Sequence, residues 1–316
     1  MIRCRAMIFL LGATGYVGQA FKRHLHGLKV PVREISAREL LAEGKEILKA
    51  KIREFRPHFL INAAGFAGKP NVDAAELMKA ETLTGNLVLP LMVGEVCAAE
   101  KIPWGHVSSG CIYQGQRETG ADGEASGFRE EDLPNFDFYH LPSSFYSGTK
   151  AMAERLLAGF PALYIWRMRM PFDEWDGARN YLSKLMRYPR LLDVRNSLSH
   201  RGEFVDACWD CYARHLPYGV YNLTNHGSVT TREVVRMIEE EGQHRALLGD
   251  DFSSKHMNRR YDFFASEKEF MQQAAHTPRS SCVLDTEKAK RAQLPIRDVR
   301  VALAEALQHW TWEGRV

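Results

Sequence analysis

The apolar run Ala6-Met-Ile-Phe-Leu-Leu11 passes straight into Gly12-Ala-Thr-Gly15-Tyr-Val-Gly18. An unbroken apolar run of this length reads as a strand buried on both faces, as in a parallel sheet. Glycines directly after it permit a tight turn (Gly12), close backbone approach to a pyrophosphate (Gly15) and close helix–strand packing (Gly18). The helix that opens there offers amides and the positive end of its dipole to an anion. No other feature restricts the chain so strongly to an open α/β sheet. Gly12, Thr14, Gly15, Tyr16 and Val17 are thereby placed against a dinucleotide.

The rest of the first half keeps the alternation. Strands are expected at Val30–Ser36, Phe59-Leu-Ile-Asn62, Pro103–Ser109 and Phe160–Arg169, with helices at Tyr16–His26, Glu39–Phe55 and Leu87–Ala99 between them. This order predicts a doubly wound parallel sheet, a Rossmann fold whose ligands lie beyond the C-terminal strand ends. Residues 1–170 are assigned to the dinucleotide-binding domain and 171–316 mainly to a smaller substrate-binding lobe. The strand Gly219–Thr224 and the helix Thr231–Glu241 are expected to return towards the first domain. Gln114–His140, rich in Gly, Asp, Glu and Pro, reads as a long surface loop over the site.

Composition sets the outer bounds. The 316 residues are 45% hydrophobic and 26% charged, with a formal net charge of +3. That suits a globular protein with an anionic small ligand and lacks the concentrated basic stripe of a nucleic-acid binder. No apolar run approaches the roughly 20 residues that span a membrane. The N-terminal apolar stretch reads as a first strand rather than a leader, which implies a cytoplasmic protein. Six scattered cysteines, Cys4, Cys97, Cys111, Cys208, Cys211 and Cys282, fit a reducing compartment. Cys208-Trp-Asp-Cys211 has no second pair or histidine cluster to complete a zinc site, so no metal is expected.

Chemistry enters with Tyr146-Ser-Gly-Thr-Lys150. Tyr and Lys four residues apart share one helix face, where the ammonium is expected to draw the phenol pKa down. Upstream, Ser108-Ser109-Gly110-Cys111-Ile112-Tyr113 sits at a predicted strand end. With the glycine turn, these segments describe a nicotinamide-dependent enzyme acting on a carbonyl. Cofactor choice turns on Arg33-Glu34-Ile35-Ser36-Ala37-Arg38. If the second strand ends at Ser36, then Ser36 and Arg38 hold a 2′-phosphate; a slipped register would bring Glu34 or Glu39 to a ribose hydroxyl instead. NADPH is favoured, and NADH stays open.

Together the glycine motif, Asn62-Ala-Ala-Gly65, the Ser-Ser-Gly-Cys-Ile-Tyr segment and Tyr146-Ser-Gly-Thr-Lys150 resemble an extended short-chain dehydrogenase/reductase. Pro70-Asn-Val-Asp73-Ala-Ala-Glu76 and Thr277-Pro-Arg279-Ser-Ser-Cys-Val-Leu-Asp285 are similar to segments of the dTDP-4-dehydrorhamnose reductase group. Glu131-Asp-Leu-Pro-Asn-Phe136, Thr149-Lys-Ala-Met152 and Arg167-Met-Arg-Met-Pro171 narrow the resemblance to plant-type bifunctional 3,5-epimerase/4-reductases that make UDP-rhamnose. The resemblance implies Ser109 as the catalytic hydroxyl, Ser108 being its neighbour. It places Asn62, Ala63, Ala64 and Gly65 beside the adenosine half of the cofactor, with Asn86 supporting the site. Met170 falls beside the nicotinamide, and Asn180 and Arg279 on the substrate.

The reaction so implied is reduction of the 4-ketone of a nucleotide-diphosphate 4-keto-6-deoxyhexose, with hydride supplied by the cofactor. Tyr146 gives its proton to the ketone oxygen, Ser109 hydrogen-bonds that oxygen, and Lys150 holds the cofactor ribose. Cys111 and Lys184 match the pair that epimerises C3 and C5 in the bifunctional enzymes. A 4,6-dehydratase would need acidic residues where Gly110 and Cys111 stand. A nucleotide-sugar 4-epimerase remains open, as does a non-catalytic regulatory subunit on the same fold, such as that of methionine adenosyltransferase. The family's habit suggests a homodimer; the sequence leaves the nucleotide base open.

Overall fold

The computed structural model describes residues 7–68, 72–117 and 126–312. Cys4, Ala6, Pro70, Asn71 and the stretch 118–125 of the expected surface loop lie outside the described residues.

The glycine turn and the catalytic motifs hang on one six-stranded sheet. Its strands are β1 (Ile8–Leu11), β2 (Val32–Ile35), β3 (Phe59–Asn62), β4 (Trp104–Ser109), β5 (Leu163–Met168) and Gly219–Asn222. Their spatial order is Gly219–Asn222, β5, β4, β3, β1, β2, and every pairing is parallel. β1 and β3 are buried along their whole length, as their apolar runs require, whereas the edge strand β2 exposes Arg33 and Glu34. The order of connection reverses between β1 and β3, so their C-terminal turns frame the crevice where such sheets bind ligands.

Helices cover both faces. On one, helix α1 (Tyr16–Gly27) and the helix Arg201–Ala213 pack Phe21, Leu25, Phe204 and Cys208 against Phe59 and Trp166. On the other, Leu48, Ile52, Leu89, Val93 and Leu157 meet Phe9, Leu60 and Ile165. A separate core joins Phe172, Leu182, Leu185, Val234, Ile238, Leu303 and Trp310 beside the sheet. Cys208 and Cys211 are buried in the first of these cores, and burial pushes both thiols up.

Several boundaries differ from the sequence expectation. The single helix expected over Glu39–Phe55 is two, Ala37–Glu43 and Lys45–Phe55, broken where Gly44 takes φ +85°. The helix expected from Leu87 starts earlier: Lys79–Glu100 runs for 22 residues and holds an 18-residue window of mean hydropathy 1.4, long and apolar enough by those measures to cross a membrane. It is not an unbroken apolar run, because Lys79, Glu81, Asn86, Glu95 and Glu100 interrupt it. Packing accounts for its composition, because Leu89, Val93, Val96 and Cys97 fill the core against Trp104 and Leu163. A π-helical turn interrupts it at Thr84–Val88 and carries the buried Asn86. Such bulges are frequently found at functional sites.

Candidate active site

Three glycines shape the first wall. Gly12 has φ +77°, and a Cβ there would stand 2.5 Å from the Ala64 amide nitrogen. A Cβ on Gly18 would meet the Gly12 carbonyl oxygen at 1.9 Å. The turn is thus packed backbone against backbone, with Ala63 and Ala64 of the β3 turn pressed against it. Thr14 and Gly15 stay exposed at the start of α1, whose first turn has neither a side-chain cap nor an acidic residue. Uncapped amides at an exposed, acid-free helix start suit an anion. Asn62 adds a buried Nδ2 with no hydrogen-bond partner, while its Oδ1 accepts from Ala64 N at 3.0 Å. These features fit a dinucleotide.

Tyr16 and Val17 turn their side chains inward. Val17 packs on the core, and the Tyr16 hydroxyl donates to Asp173 Oδ1 at 3.1 Å beneath the Arg201 guanidinium. At the end of β2 the strand stops at Ile35, one residue short of the expected boundary, and Ser36 caps the next helix by accepting from Glu39 N at 3.1 Å. Arg38 is exposed. The acidic competitors are engaged elsewhere: Glu34 pairs with Lys22, and Glu39 with Lys51 at 3.0 Å.

The catalytic segments meet beyond β4 and β5. Ser109 ends β4, and its Oγ accepts from Cys111 N at 3.1 Å. Ser108 faces the other way and donates to Glu154 Oε1 at 2.5 Å, which separates the two adjacent serines by orientation. Tyr146 lies in the first turn of the helix Phe145–Leu157, capped by Ser144, and its phenol is close enough to Ser109 for that hydroxyl to favour the ionised form. Lys150, one turn on, is buried and donates to Val107 O at 3.4 Å. Asn86 accepts from Phe66 N at 2.8 Å and donates to Phe66 O at 2.8 Å and Thr149 Oγ1 at 3.3 Å. It thereby ties the Gly65 turn to the catalytic helix. Met170 follows β5 in the left-handed region at φ +38°, a strained conformation for a side chain with a Cβ.

One electrostatic expectation is overturned. The Tyr146 phenol is pushed up, not down, because burial disfavours its anion and the Cys111 sulfur adds to that. Ser109, Arg169 and Arg179 oppose without prevailing. Lys150 is itself lowered to about 8 by burial, against the opposing pull of Glu154 and Cys111. Burial of both partners outweighs the simple pairwise attraction.

Around Cys111 the structure gathers more than the sequence suggested. Arg169 Nη1 donates to its Sγ at 2.7 Å. Arg169 also donates through Nη2 to Asn196 Oδ1 at 2.6 Å and to the Ser280 carbonyl. Lys184 is held down by burial, then by Arg179 and Arg279, with the Cys111 sulfur opposing. Arg179, Lys184 and Arg279 therefore form a cationic wall near the thiol. Arg279 is clamped by both oxygens of Asp73, at 2.7 and 2.6 Å, so its guanidinium is already engaged within the protein. Asn180 is wholly buried as a helix cap, its Nδ2 donating to Asp173 and Trp175 and its Oδ1 accepting from Leu182 N. That commitment corrects the expectation that Asn180 contacts substrate.

Sequence reasoning gave no role to Arg169, Glu76 or Glu154. Glu76 accepts the Phe145 amide at 2.6 Å and the Thr277 hydroxyl at 2.8 Å, joining the start of the catalytic helix to the C-terminal segment. The signal for Arg169 was a pair of arginines in and just after a strand buried along its whole length, where unpaired cations are costly. A cavity of about 740 Å³ lies on the other side of the catalytic helix, lined by residues such as Phe138, Met152, Arg155 and Tyr218. Ser109, Cys111 and Tyr146 are absent from its lining, so chemistry rather than volume locates the site.

The model of the RmlD substrate binding domain family matches residues 6–199. A trifunctional UDP-glucose 4,6-dehydratase/UDP-4-keto-6-deoxy-D-glucose 3,5-epimerase/UDP-4-keto-L-rhamnose-reductase of Arabidopsis thaliana is 32% identical over 256 residues, 80% of this chain. The chain spans only about a third of that relative's length, 36%. A bifunctional dTDP-4-dehydrorhamnose 3,5-epimerase/dTDP-4-dehydrorhamnose reductase of the same plant is 31% identical over 233 residues, covering 73% of this chain and 74% of the relative. Among solved structures, the UDP-rhamnose synthase of Acanthamoeba polyphaga mimivirus superposes with a TM-score of 0.81 at 22% identity, covering 96% of this chain and 99% of its own. The dTDP-4-dehydrorhamnose reductase of Bacillus anthracis in complex with NADP gives a TM-score of 0.74 at 17% identity, with 97% and 98% covered.

Proposed function

The chain belongs to the RmlD substrate binding domain family, and we propose that it reduces the 4-ketone of a nucleotide-linked 4-keto-6-deoxyhexose after epimerising C3 and C5. The observation that carries this reading is the convergence of Ser109, Tyr146 and the Arg169-bound Cys111 at the end of β4. A plain reductase needs the first two; the third is what an epimerase adds. The plant relatives carry both activities in their names.

The residues around the glycine turn would hold NADPH: the first-turn amides of α1 at the diphosphate, Asn62 to Gly65 along the adenosine half, and Ser36 with Arg38 at the 2′-phosphate. When bound, the reduced nicotinamide supplies hydride to C4. Tyr146 keeps its proton until the ketone oxygen needs it, since burial holds the phenol neutral. Ser109, beside Tyr146, steadies the oxygen as negative charge develops. Arg179, which lies beside Lys184, suits the substrate diphosphate. Free Cys111 and Cys282 fit the reducing cytoplasm.

For epimerisation, the ketone acidifies the neighbouring C–H bonds. Cys111 as thiolate takes the proton from carbon, and the bond's electron pair moves into an enolate whose oxygen Ser109 and Tyr146 hydrogen-bond. The Lys184 ammonium returns a proton to the opposite face, and the electron pair re-forms the C–H bond. Exchange with solvent restores the thiolate and the ammonium.

The test uses the UDP- and dTDP-linked 4-keto-6-deoxyglucose in deuterated water without NADPH. Deuterium enters at C3 and C5 with the wild type and largely fails to do so with Cys111→Ser. Absence of exchange in the wild type would leave a 4-reductase that needs a sugar already epimerised. Absence of NADPH oxidation with either form of sugar would remove the reductase reading as well.

A further inference from the structure

Three arginines are almost wholly sealed from solvent near the site: Arg167 at 3% exposure, Arg169 at 2% and Arg201 at 3%. A buried guanidinium cannot shed its charge, so each needs a counter-anion or carries a large desolvation cost. Arg167 has Glu154, which accepts from Nε at 2.9 Å and from Nη2 at 2.7 Å. Arg201 has Asp173. Arg169 has no carboxylate among the described residues; its partners are the Asn196 amide oxygen, the Ser280 carbonyl and the Cys111 sulfur. Of these only the sulfur can carry a negative charge. A guanidinium has donors and no acceptor, so at this contact Arg169 donates and the sulfur is the acceptor.

We infer that Arg169 is the positioning residue that holds Cys111 as a thiolate and fixes its aim, an inference that rests on the epimerase reading of the same site. The other groups around the sulfur are Tyr146 and Lys150 from the catalytic helix, Lys184 from the helix Tyr181–Arg187, and Cys282 from the C-terminal segment. Two of them are cations and reinforce Arg169; Tyr146 and Cys282 are pushed up by burial and stay neutral. Arg169 is itself aimed by four contacts. Its backbone amide donates to Ser199 Oγ at 3.0 Å, and its Nη2 is fixed by Asn196 and Ser280 while Nη1 meets the sulfur. The fork is therefore preset before substrate arrives.

The experiment follows alkylation of Cys111 by iodoacetamide against pH, located by peptide mass spectrometry, in the wild type, Arg169→Gln and Arg169→Lys. Only the thiolate reacts, so the profile reads the charge state without any substrate. Loss of the cation in Arg169→Gln should raise the pH of half-maximal reactivity by a unit or more, a roughly tenfold loss of thiolate below that pH. Arg169→Lys, which keeps charge but loses the fork, should restore part of the shift and still melt cooperatively if the glutamine variant does not. Profiles that coincide in the wild type and a folded variant would overturn the inference. With 4-keto sugar, deuterium exchange should fall at least tenfold further than reduction of the pre-epimerised sugar. Equal losses would make Arg169 merely structural. If the wild type shows the shifted alkylation but no exchange, the epimerase reading fails while the hold of Arg169 on Cys111 stands.

Discussion

Glu154 stands between Ser108 and Arg167, accepting from the serine hydroxyl at 2.5 Å and from the guanidinium Nε and Nη2 at 2.9 and 2.7 Å. The buried carboxylate thus anchors the helix of Tyr146 to strands β4 and β5. Breaking a buried pair from one side leaves a charge without its partner, at a cost of about 3–5 kcal/mol. Glu154→Gln is expected to lose that much in urea unfolding. A loss under about 1 kcal/mol would show that water or a rearranged side chain replaces the carboxylate.

The two neighbouring serines should separate cleanly. Ser109→Ala removes a donor to the developing oxyanion and should lower kcat about 10²–10³-fold with little effect on the melting temperature. Ser108→Ala removes a buried partner of Glu154 and should cost about 1–3 kcal/mol of stability instead. Steady-state rates paired with thermal melts of both variants decide this, and the reverse pattern would exchange their roles.

Within α1, Gly18 and Gly27 offer a matched contrast. A methyl on Gly18 would stand 1.9 Å from the Gly12 carbonyl oxygen, whereas one on Gly27 meets nothing within 4 Å. Gly18→Ala must push the glycine turn off the helix, costing about 1–3 kcal/mol and weakening nucleotide binding together. Gly27→Ala should stabilise by about 0.4–1 kcal/mol, because it restricts the unfolded chain alone. Differential scanning and nucleotide titration on the two variants provide the check.

The end of β2 should set cofactor choice. Glu34 is paired to Lys22 and Glu39 to Lys51, while Arg38 is exposed in the helix that follows β2. A charge-assisted contact of about 1.5–3 kcal/mol corresponds to ten- to a hundredfold in affinity. Arg38→Ala should therefore weaken NADPH binding by that factor and NADH binding far less. Equal losses would make Arg38 a bystander.

Much of this architecture is legible in the chain because local signals agree. The glycine turn, the Asn62 turn and Ser109 each follow an apolar run, and all fall at C-terminal ends of strands in one sheet. What stays hidden is long-range pairing. Nothing local in Arg167-Met-Arg-Met tells that Arg167 meets a carboxylate 13 residues before it while Arg169 meets a sulfur 58 residues before it. Asn180 looked like a ligand residue, yet it caps a helix, and nothing local tells that Arg279 grips Asp73, since a polar side chain at the right place in sequence carries no record of its partner. The tyrosine–lysine spacing did place both groups. It could not reveal that burial, a property of the whole fold, dominates both protonation equilibria.

Those two equilibria set the alkaline behaviour of the enzyme. Burial lowers the Lys150 ammonium from 10.5 to about 8, while the Tyr146 phenol is pushed up beyond the working range. On the reading that the Lys150 ammonium holds the cofactor ribose, kcat/KM for a pre-epimerised 4-keto sugar should fall with a one-proton limb near pH 8. That limb reports the free enzyme. Lys150→Met should lower both cofactor affinity and rate and flatten the limb, whereas Tyr146→Phe should remove nearly all reduction while NADPH still binds. Stability carries the same signature with a defined sign. The unfolded lysine keeps its proton up to about 10.5 and the folded one only to about 8, so this group makes the protein more stable as pH rises between those values. Below about pH 8 the cost of the buried cation is present in full. Lys150→Met should abolish that rise in a pH series of unfolding curves, and an unchanged slope would assign it to another group.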